Sequence, residues 1–179
     1  MSVTSPPLAI STGIGTLLIR QLDSSDGADL QALCQRCHDY FELVTGHPVG
    51  PAEAQSLFSS LPEGKTYEDK FLLGVFRGSA VVGVIDLIRG WRRNTSWTLG
   101  LLLLDPAVRS HGVGRAIVDE LDRWVSSEGG LVMRLGVVER NARAVDFWRR
   151  MGFLEMERKQ AEYGLTLTME RPVGSVSPS

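Results

Sequence analysis

The alternation of apolar and polar residues divides most of the chain into strands. We predict β-strands at 16–22, 71–76, 80–88, 95–104, 131–138, 153–159 and 165–170. The short turn Arg77-Gly78-Ser79 joins two of these segments and predicts a hairpin. The segment 99–104 is apolar at nearly every position, which is typical of a strand covered on both faces. The middle of the chain therefore predicts a three-stranded antiparallel meander with a buried third strand.

Apolar residues at spacings of three and four predict helices between the strands. We predict helices at about 30–44, 52–60, 112–127 and 141–151. Asp23, Ser24 or Ser25 can cap the first of them, and Asn141 caps the last, which Gly152 ends. The predicted order is one strand, two helices, three strands, a helix, a strand, a helix and two strands.

Composition and charge narrow the class of protein. The 179 residues are 43% apolar and 22% charged, as in an ordinary globular domain. The 19 basic and 21 acidic residues are mixed along the chain, which argues against a nucleic-acid partner. Neither a membrane-spanning apolar run nor a signal-peptide pattern is visible, so we expect a cytoplasmic protein without a membrane partner. The Ser- and Pro-rich ends, 1–7 and 173–179, are expected to be tails that flank a single domain at 8–172.

The two cysteines, Cys34 and Cys37, form a Cys-x-x-Cys-His pattern with His38. This is the attachment pattern of c-type haem, which belongs to exported proteins. A dithiol redox or metal role is a second interpretation, although no second pair of ligands has zinc spacing. Because both cysteines also lie on the apolar stripe of the first helix, core packing is the interpretation that the pattern favours.

The most informative segment is 104–116, which predicts a strand, a loop and a helix that begins with Gly112 and Gly114. The first turn of a helix presents unpaired N–H groups and a partial positive charge, and glycine lets a phosphate approach the backbone. Close packing of helix on strand would also explain the two glycines. A Walker loop is absent, and a Rossmann fingerprint fits poorly, because Ile117 takes the place of its third small residue.

Two segments together resemble the GNAT superfamily of N-acetyltransferases. Arg109-Ser110-His111-Gly112-Val113-Gly114 matches the family's Gln/Arg-x-x-Gly-x-Gly/Ala motif, which binds acyl-CoA. The segment 141–153 resembles its second signature, Asn-x-x-Ala-x-x-Phe-Tyr-x-x-x-Gly-Phe. The resemblance implies an α/β (α+β) fold, with a mixed, mostly antiparallel twisted sheet of about six to seven strands and helices on both faces.

The resemblance also implies an acetyl-CoA-dependent acyltransferase that uses no metal. It does not determine whether the protein is a monomer or a homodimer. In the family the strand that ends at Leu104 separates from the one that ends at Glu139, and a backbone N–H near Leu102 or Leu103 stabilises the oxyanion. Residues implied to contact the cofactor are Leu102, Leu103, Leu104, Arg109, Ser110, His111, Gly112, Val113, Gly114, Arg115, Asn141, Ala144, Phe147 and Trp148. Core packing is the other interpretation of Ala144 and Phe147.

The acid and base of the reaction are less evident. An amine with a pKa near 10.4 is deprotonated only about 0.04% of the time at pH 7, so a general base is expected, and Glu139 and Asp86 are the candidates. Trp148 stands where many family members have a Tyr that protonates the departing thiolate, and an indole is no useful acid. Tyr163, Tyr67 or solvent could replace it, and a non-catalytic acyl-CoA-binding module is the alternative function.

The acceptor is expected to be a small cationic amine or a peptide amino group. By the resemblance, segments 40–69 and 90–97 shape its pocket. They contain the acids and aromatic residues that could attract or stack on a cation, namely Glu42, Glu53, Glu63, Glu68, Asp69, Trp91 and Trp97. Each of these is individually more typical of a solvated charge or a core aromatic residue.

Overall fold

A computed structural model describes residues 7–174. Its strands are β1 (Pro7–Thr12), β2 (Gly15–Gln21), β3 (Lys70–Arg77), β4 (Ala80–Arg89), β5 (Ser96–Leu104), β6 (Val132–Val138), β7 (Leu154–Ala161) and β8 (Gly164–Pro172). Its α-helices are α1 (Gly27–Arg36), α2 (His38–Thr45), α3 (Glu53–Ser59), α4 (Val113–Ser127) and α5 (Ala142–Arg150). None of the described helices is long and apolar enough to cross a membrane.

The strands form one mixed sheet in the order β1-β2-β3-β4-β5-β6-β8-β7. Within residues 7–174, neighbouring strands are antiparallel except β5 and β6, which are parallel. The predicted fold class is therefore confirmed, with eight strands instead of six to seven. The additional strand is β1, which pairs with β2 across a tight turn from Thr12 to Gly15. Of the expected tails, 1–6 and 175–179 lie outside the described residues.

The parallel pair separates partway along its length. β5 pairs with β6 only at Ser96–Leu99 and Val132–Leu135, and beyond this point each strand follows its antiparallel neighbour. The separation begins at a β-bulge, since Leu87 and Asp86 of β4 pair with Leu99 and Leu101, which leaves Gly100 unmatched.

Helices cover both faces of the sheet, as predicted. One apolar core includes residues of α4 and α5, among them Ile117, Leu121 and Val145, packed against the sheet. The other core includes Leu30, Leu33 and Cys34 of α1 and Phe41 of α2. The single helix expected at 30–44 is two helices, because the chain bends at Cys37, whose φ of −96° and ψ of 26° are not helical. The bend keeps Phe41 on the same core as α1.

A buried ion pair attaches the end of β8 to α4. Arg171, only 2% exposed, donates to Asp122 Oδ1 at 2.6 Å and to the carbonyl of Met151 at 2.7 Å. Asp122 Oδ2 accepts from the N–H of Gly174 at 2.9 Å. Removing one partner of a buried pair leaves the other charge without compensation.

We therefore predict that Asp122→Ala lowers the free energy of unfolding by about 3–5 kcal/mol. Asp119→Ala, on the same helix, removes an acid that is 39% exposed and 3.8 Å from Arg115, and is expected to cost less than about 1 kcal/mol. Urea denaturation of both variants measures the difference. Similar losses in the two variants would contradict the role assigned to the buried pair.

Candidate active site

The gap between β5 and β6 exposes strand backbone that is paired on one side only. Asp105 donates its N–H to the carbonyl of Val82 at 2.9 Å, and hydrogen-bonded pairs alternate along an antiparallel ladder. In the register of β4 and β5, the N–H groups of Leu102 and Leu104 therefore point away from β4, toward the gap. Leu103 is instead hydrogen-bonded toward β4, and its side chain is buried in the α1 core.

The loop that follows β5 turns sharply into α4. Gly112, which caps the helix, has a φ of 74°, and Ser110 has a φ of 65°. A Cβ at Gly112 would meet nothing within 4 Å, so the glycine borders open space at the end of the helix. Ser110 Oγ accepts from Arg143 Nη2 at 2.8 Å, which joins this loop to the first turn of α5. The first turn of α4 thus faces the region where β5 and β6 have separated.

The other residues predicted in this loop differ in their surroundings. His111 and Arg115 are exposed, whereas Val113 is buried in the core. At Gly114 a Cβ would lie 3.2 Å from Phe147 Cζ and 3.8 Å from Leu104 Cδ1. Gly114 therefore allows α4 to pack closely against α5 and β5, which is the packing explanation considered for the two glycines.

Arg109 connects the end of β5 to α2. Its Nε donates to the carbonyl of Leu104 at 2.8 Å, and its guanidinium binds both oxygens of Asp39. This hydrogen bonding holds the pKa of Asp39 below its ordinary value and raises the pKa of Arg109. The side chain of Arg109 is therefore bound within the protein. Only the backbone of this residue is available to contact a ligand in the gap.

The α5 residues lie along the first core. Asn141 caps the helix as predicted, its Oδ1 accepting from the N–H of Ala144 at 3.2 Å. Ala144 and Phe147 are partly buried against the core. Trp148 is 8% exposed and makes edge contacts with Phe147 and Phe153, at centroid distances of 4.8 and 5.3 Å. In this position its indole is a core side chain.

The two candidate bases lie on opposite faces of the sheet. Asp86 alternates with Val84, on the face covered by α1, and a Cβ at Gly100 would lie 3.7 Å from its Oδ2. Glu139 comes two residues after Val137, whose side chain is on the face covered by α4 and α5. It pairs with Arg158 at the surface. It borders a shallow surface pocket of about 170 Å³ that Arg149, Arg158 and Leu167 also line.

Burial and one ion pair define the surroundings of Asp86. Its side chain is 14% exposed, and both carboxylate oxygens lie 2.8 Å from Lys70 Nζ. Burial raises the pKa of Asp86, and the hydrogen bond and charge of Lys70 act in the opposite direction. The structure thus brings a buried carboxylate to the bulge where the gap begins.

Sequence reasoning missed two residues at this point, Lys70 and Gly100. The signals were present, since Lys70 begins an otherwise apolar run and Gly100 interrupts another. An isolated glycine within a strand pattern indicates a bulge, and a lysine in a buried strand requires a charged partner.

Most acids expected around the acceptor are exposed or paired. Glu42, Glu63 and Glu68 are exposed, and Asp69 binds Lys65 and Arg89. Glu53 is half-buried, and within residues 7–174 no hydrogen bond or ion pair engages its carboxylate. Glu53 is therefore the acid of this group that is partly shielded from solvent and has a carboxylate available to bind a ligand.

The charge of Glu53 acts on two tyrosines, Tyr40 of α2 and Tyr163 of the turn between β7 and β8. Burial, and secondarily the charge of Glu53, raises the pKa of Tyr40 to about 12. A hydrogen bond with Glu162, then burial and the charges of Glu162 and Glu53, raises the pKa of Tyr163. Arg140, two residues beyond β6, donates to the carbonyls of Val44 and Tyr163, and so joins α2 and the β7–β8 turn to the end of β6.

The remaining aromatic and phenolic candidates lie in the core or at the surface. Trp97 is 1% exposed and stacked on Phe71, so it belongs to the core, whereas Trp91 is partly exposed beneath the guanidinium of Arg92. Tyr67 is exposed, and its hydroxyl donates to the carbonyl of Ser59 at 3.1 Å.

The cysteines are buried, as the core-packing interpretation predicted. Cys34 and Cys37 are free thiols that belong to the α1 core, and Cys37 Sγ donates to the carbonyl of Leu104 at 3.3 Å. Burial raises the pKa of Cys34 to about 12 and that of Cys37 to about 11, which keeps both protonated at neutral pH. Among residues 7–174, no three His, Cys, Asp or Glu side chains converge as a metal site would require.

Comparison with known proteins gives a family match over most of the chain. Residues 30–153 match the acetyltransferase (GNAT) family. A comparison with curated protein sequences finds no match.

Solved structures share the fold. An acetyltransferase from Thermus thermophilus superposes with a TM-score of 0.69 at 21% identity, covering 96% of this chain and 99% of that one. Spermidine N-acetyltransferase from Vibrio cholerae, in complex with CoA and spermine, gives 0.69 at 16% identity, with coverage of 88% and 95%. The ribosomal-protein-S18-alanine N-acetyltransferase from Escherichia coli gives 0.68 at 17% identity, with coverage of 89% and 96%. At these identities the likeness concerns the fold.

Proposed function

The chain belongs to the acetyltransferase (GNAT) family, and from that premise we propose that it transfers an acetyl group from acetyl-CoA directly to a cationic amine. The observation that carries the proposal is the separation of β5 from β6 at the Gly100 bulge. It leaves backbone N–H groups of β5 pointing into a gap, with a buried carboxylate at its start. The enzyme is an acyltransferase, and its acceptor is the new part of the proposal.

The described residues fit acetyl-CoA. The backbone of Leu102 and the N–H of Leu104 suit the amides of the pantetheine arm, which would pair with them as an added strand. The first turn of α4 and the left-handed residues Ser110 and Gly112 suit the pyrophosphate, because they present backbone N–H groups beside open space. When bound, acetyl-CoA supplies an acetyl group activated as a thioester.

In the proposed mechanism, Asp86 is the general base. It accepts a proton from the acceptor ammonium, and the neutral amine nitrogen then forms a bond to the acetyl carbon as the carbon–sulfur bond breaks. The second proton, which the nitrogen loses as it becomes an amide, passes to the departing thiolate or to solvent. The N–H of Leu102 donates to the developing oxyanion. A thiol with a pKa near 8.5 leaves tolerably as its thiolate, so the reaction does not require an acid at the position of Trp148. The place of Glu139 on the other face, where it pairs with Arg158, favours Asp86 over it as the base.

The acceptor is proposed to be a primary amine with a second positive charge, which Glu53 binds. Glu53 is half-buried, and no residue among 7–174 engages its carboxylate. Its charge acts on Tyr40 and Tyr163, whose rings suit the alkyl and cationic parts of such a molecule. A carboxylate in a sheltered, partly desolvated site attracts a cation more strongly than one in water.

We predict that Glu53→Gln raises KM at least tenfold for a linear diamine such as diaminobutane and changes KM less than twofold for butylamine, because only the diamine has a second charge to lose. Steady-state kinetics with both amines measure the effect. Glu42→Gln, which removes an exposed acid from the neighbouring helix α2, serves as the matched control. If Glu53→Gln leaves KM unchanged for both amines, the acceptor assignment is wrong.

A non-catalytic acyl-CoA-binding module is the second candidate, because Trp148 replaces the tyrosine of the family signature. The two functions are separated by incubating the protein with acetyl-CoA and a panel of amines and peptides, followed by mass spectrometry. The acyltransferase yields an acetylated amine, whereas the module yields bound CoA and unmodified amines.

A further inference from the structure

We infer that Lys70 is a positioning residue for acetyl transfer, whose buried ammonium keeps the Asp86 carboxylate ionised and aimed at the Gly100 bulge. The inference rests on the proposed function, in which Asp86 receives the proton of the amine. Lys70 itself contacts neither the acceptor nor the thioester in this arrangement, so it acts through Asp86.

The geometry of the pair fixes the carboxylate. The register pairs Lys70 with Ile88 and Leu72 with Asp86, so Lys70 and Asp86 are diagonal neighbours on one face of the sheet. The side chain of Lys70 is 4% exposed, and its Nζ lies 2.8 Å from both carboxylate oxygens. Two equal hydrogen bonds to one buried donor prevent the carboxylate from rotating away from Gly100.

Lys70 is also the charge that acts on Asp86. Burial disfavours the ionised carboxylate, and the hydrogen bond and charge of Lys70 favour it. Of the nearest charged groups, Asp69 is engaged by Lys65 and Arg89, and Arg134 of β6 by Glu170. The strand neighbours of the pair on this face are uncharged: Leu72, Val84, Ile88, Thr98 and Leu101. The α1 residues in the core on the same face are apolar or thiol groups.

Stability alone does not account for this pair. Buried ion pairs are often replaced by apolar residues without loss of stability, because desolvation offsets the attraction between the charges. Lys70 is followed by Phe71, Leu72 and Leu73, all buried, so an apolar residue would suit its position. A positioning role explains why the strand begins with a charge whose ammonium reaches Asp86.

The test is the pH dependence of kcat/KM for amine acetylation by the full chain. Lys70→Met removes the charge that favours ionised Asp86, so the acidic limb is expected to move to higher pH by about one unit or more, with about tenfold lower kcat/KM on that limb. Lys70→Arg, which retains the charge, is expected to restore the wild-type limb. Lys65→Met removes a nearby lysine that binds Asp69, and is expected to leave the limb in place.

Lys70→Gln provides a second uncharged variant with a hydrogen-bond donor, in case Lys70→Met does not fold, and the same shift is expected. If the acidic limb of the pH profile does not move in either folded variant, the inference is wrong. It is also wrong if that limb shifts in Lys65→Met. If the wild-type protein binds CoA but acetylates no amine, the proposed function fails instead, so the two failures are distinguishable.

Discussion

Asp86→Asn is expected to lower the kcat of amine acetylation by about 10²- to 10³-fold and to leave the dissociation constant of CoA unchanged. Asn has nearly the same shape and can still accept a hydrogen bond from Lys70, but it cannot take the proton that the acceptor ammonium must lose. Steady-state kinetics and calorimetry measure the two quantities separately.

The same measurements on Glu139→Gln discriminate between the two candidate bases. Glu139 lies at the surface beside Arg158, on the face opposite Asp86, and its replacement is expected to change kcat less than twofold. A kcat within threefold of wild type in Asp86→Asn, together with a large loss in Glu139→Gln, would reverse the assignment.

Gly112→Leu is expected to weaken CoA binding at least tenfold. The new side chain would fill the open space that borders the first turn of α4, where the pyrophosphate is proposed to reach the backbone. Its φ of 74° adds a backbone cost of about 1–2 kcal/mol, which would lower stability whatever the ligand does.

Gly129→Leu is a matched control for that cost. Gly129 follows the other end of α4, has a φ of 77° and likewise borders open space, since a Cβ there would meet nothing within 4 Å. Both variants are expected to lose similar stability, but only Gly112→Leu is expected to lose CoA affinity in calorimetry. Equal CoA affinity in the two folded variants would show that the pyrophosphate does not bind at this end of α4.

The order of most elements follows from local patterns. Periodicity and turn residues predicted β2 to β8, most of which are apolar or alternating segments bounded by turns, although β7 is exposed along its whole length. They are not sufficient for β1, which contains only a short alternating segment, with Ile10 buried and Ala9 exposed, and is stabilised by pairing with β2. They also do not indicate the bend at Cys37, because the same apolar stripe continues on both sides of it.

The site could be predicted only in part. The motif at 109–114 indicated which backbone segment begins α4, since glycine spacing is a local feature. The partners of its side chains were not predictable: Arg109 binds Asp39, 70 positions away, and Lys70 reaches Asp86 through the register of a hairpin. The assignment of Asp86 over Glu139 likewise depends on the face each occupies, which the bulge at Gly100 and the sheet order determine.

The most direct test of the central claim is the release of CoA thiol from acetyl-CoA in the presence of a diamine. We expect wild-type protein to release thiol in proportion to the diamine acetylated, at a rate far above hydrolysis without amine, and Asp86→Asn to release it at least 100-fold more slowly. Thiol release that stays at the hydrolysis rate with every amine tested, from protein that binds CoA, would contradict the account.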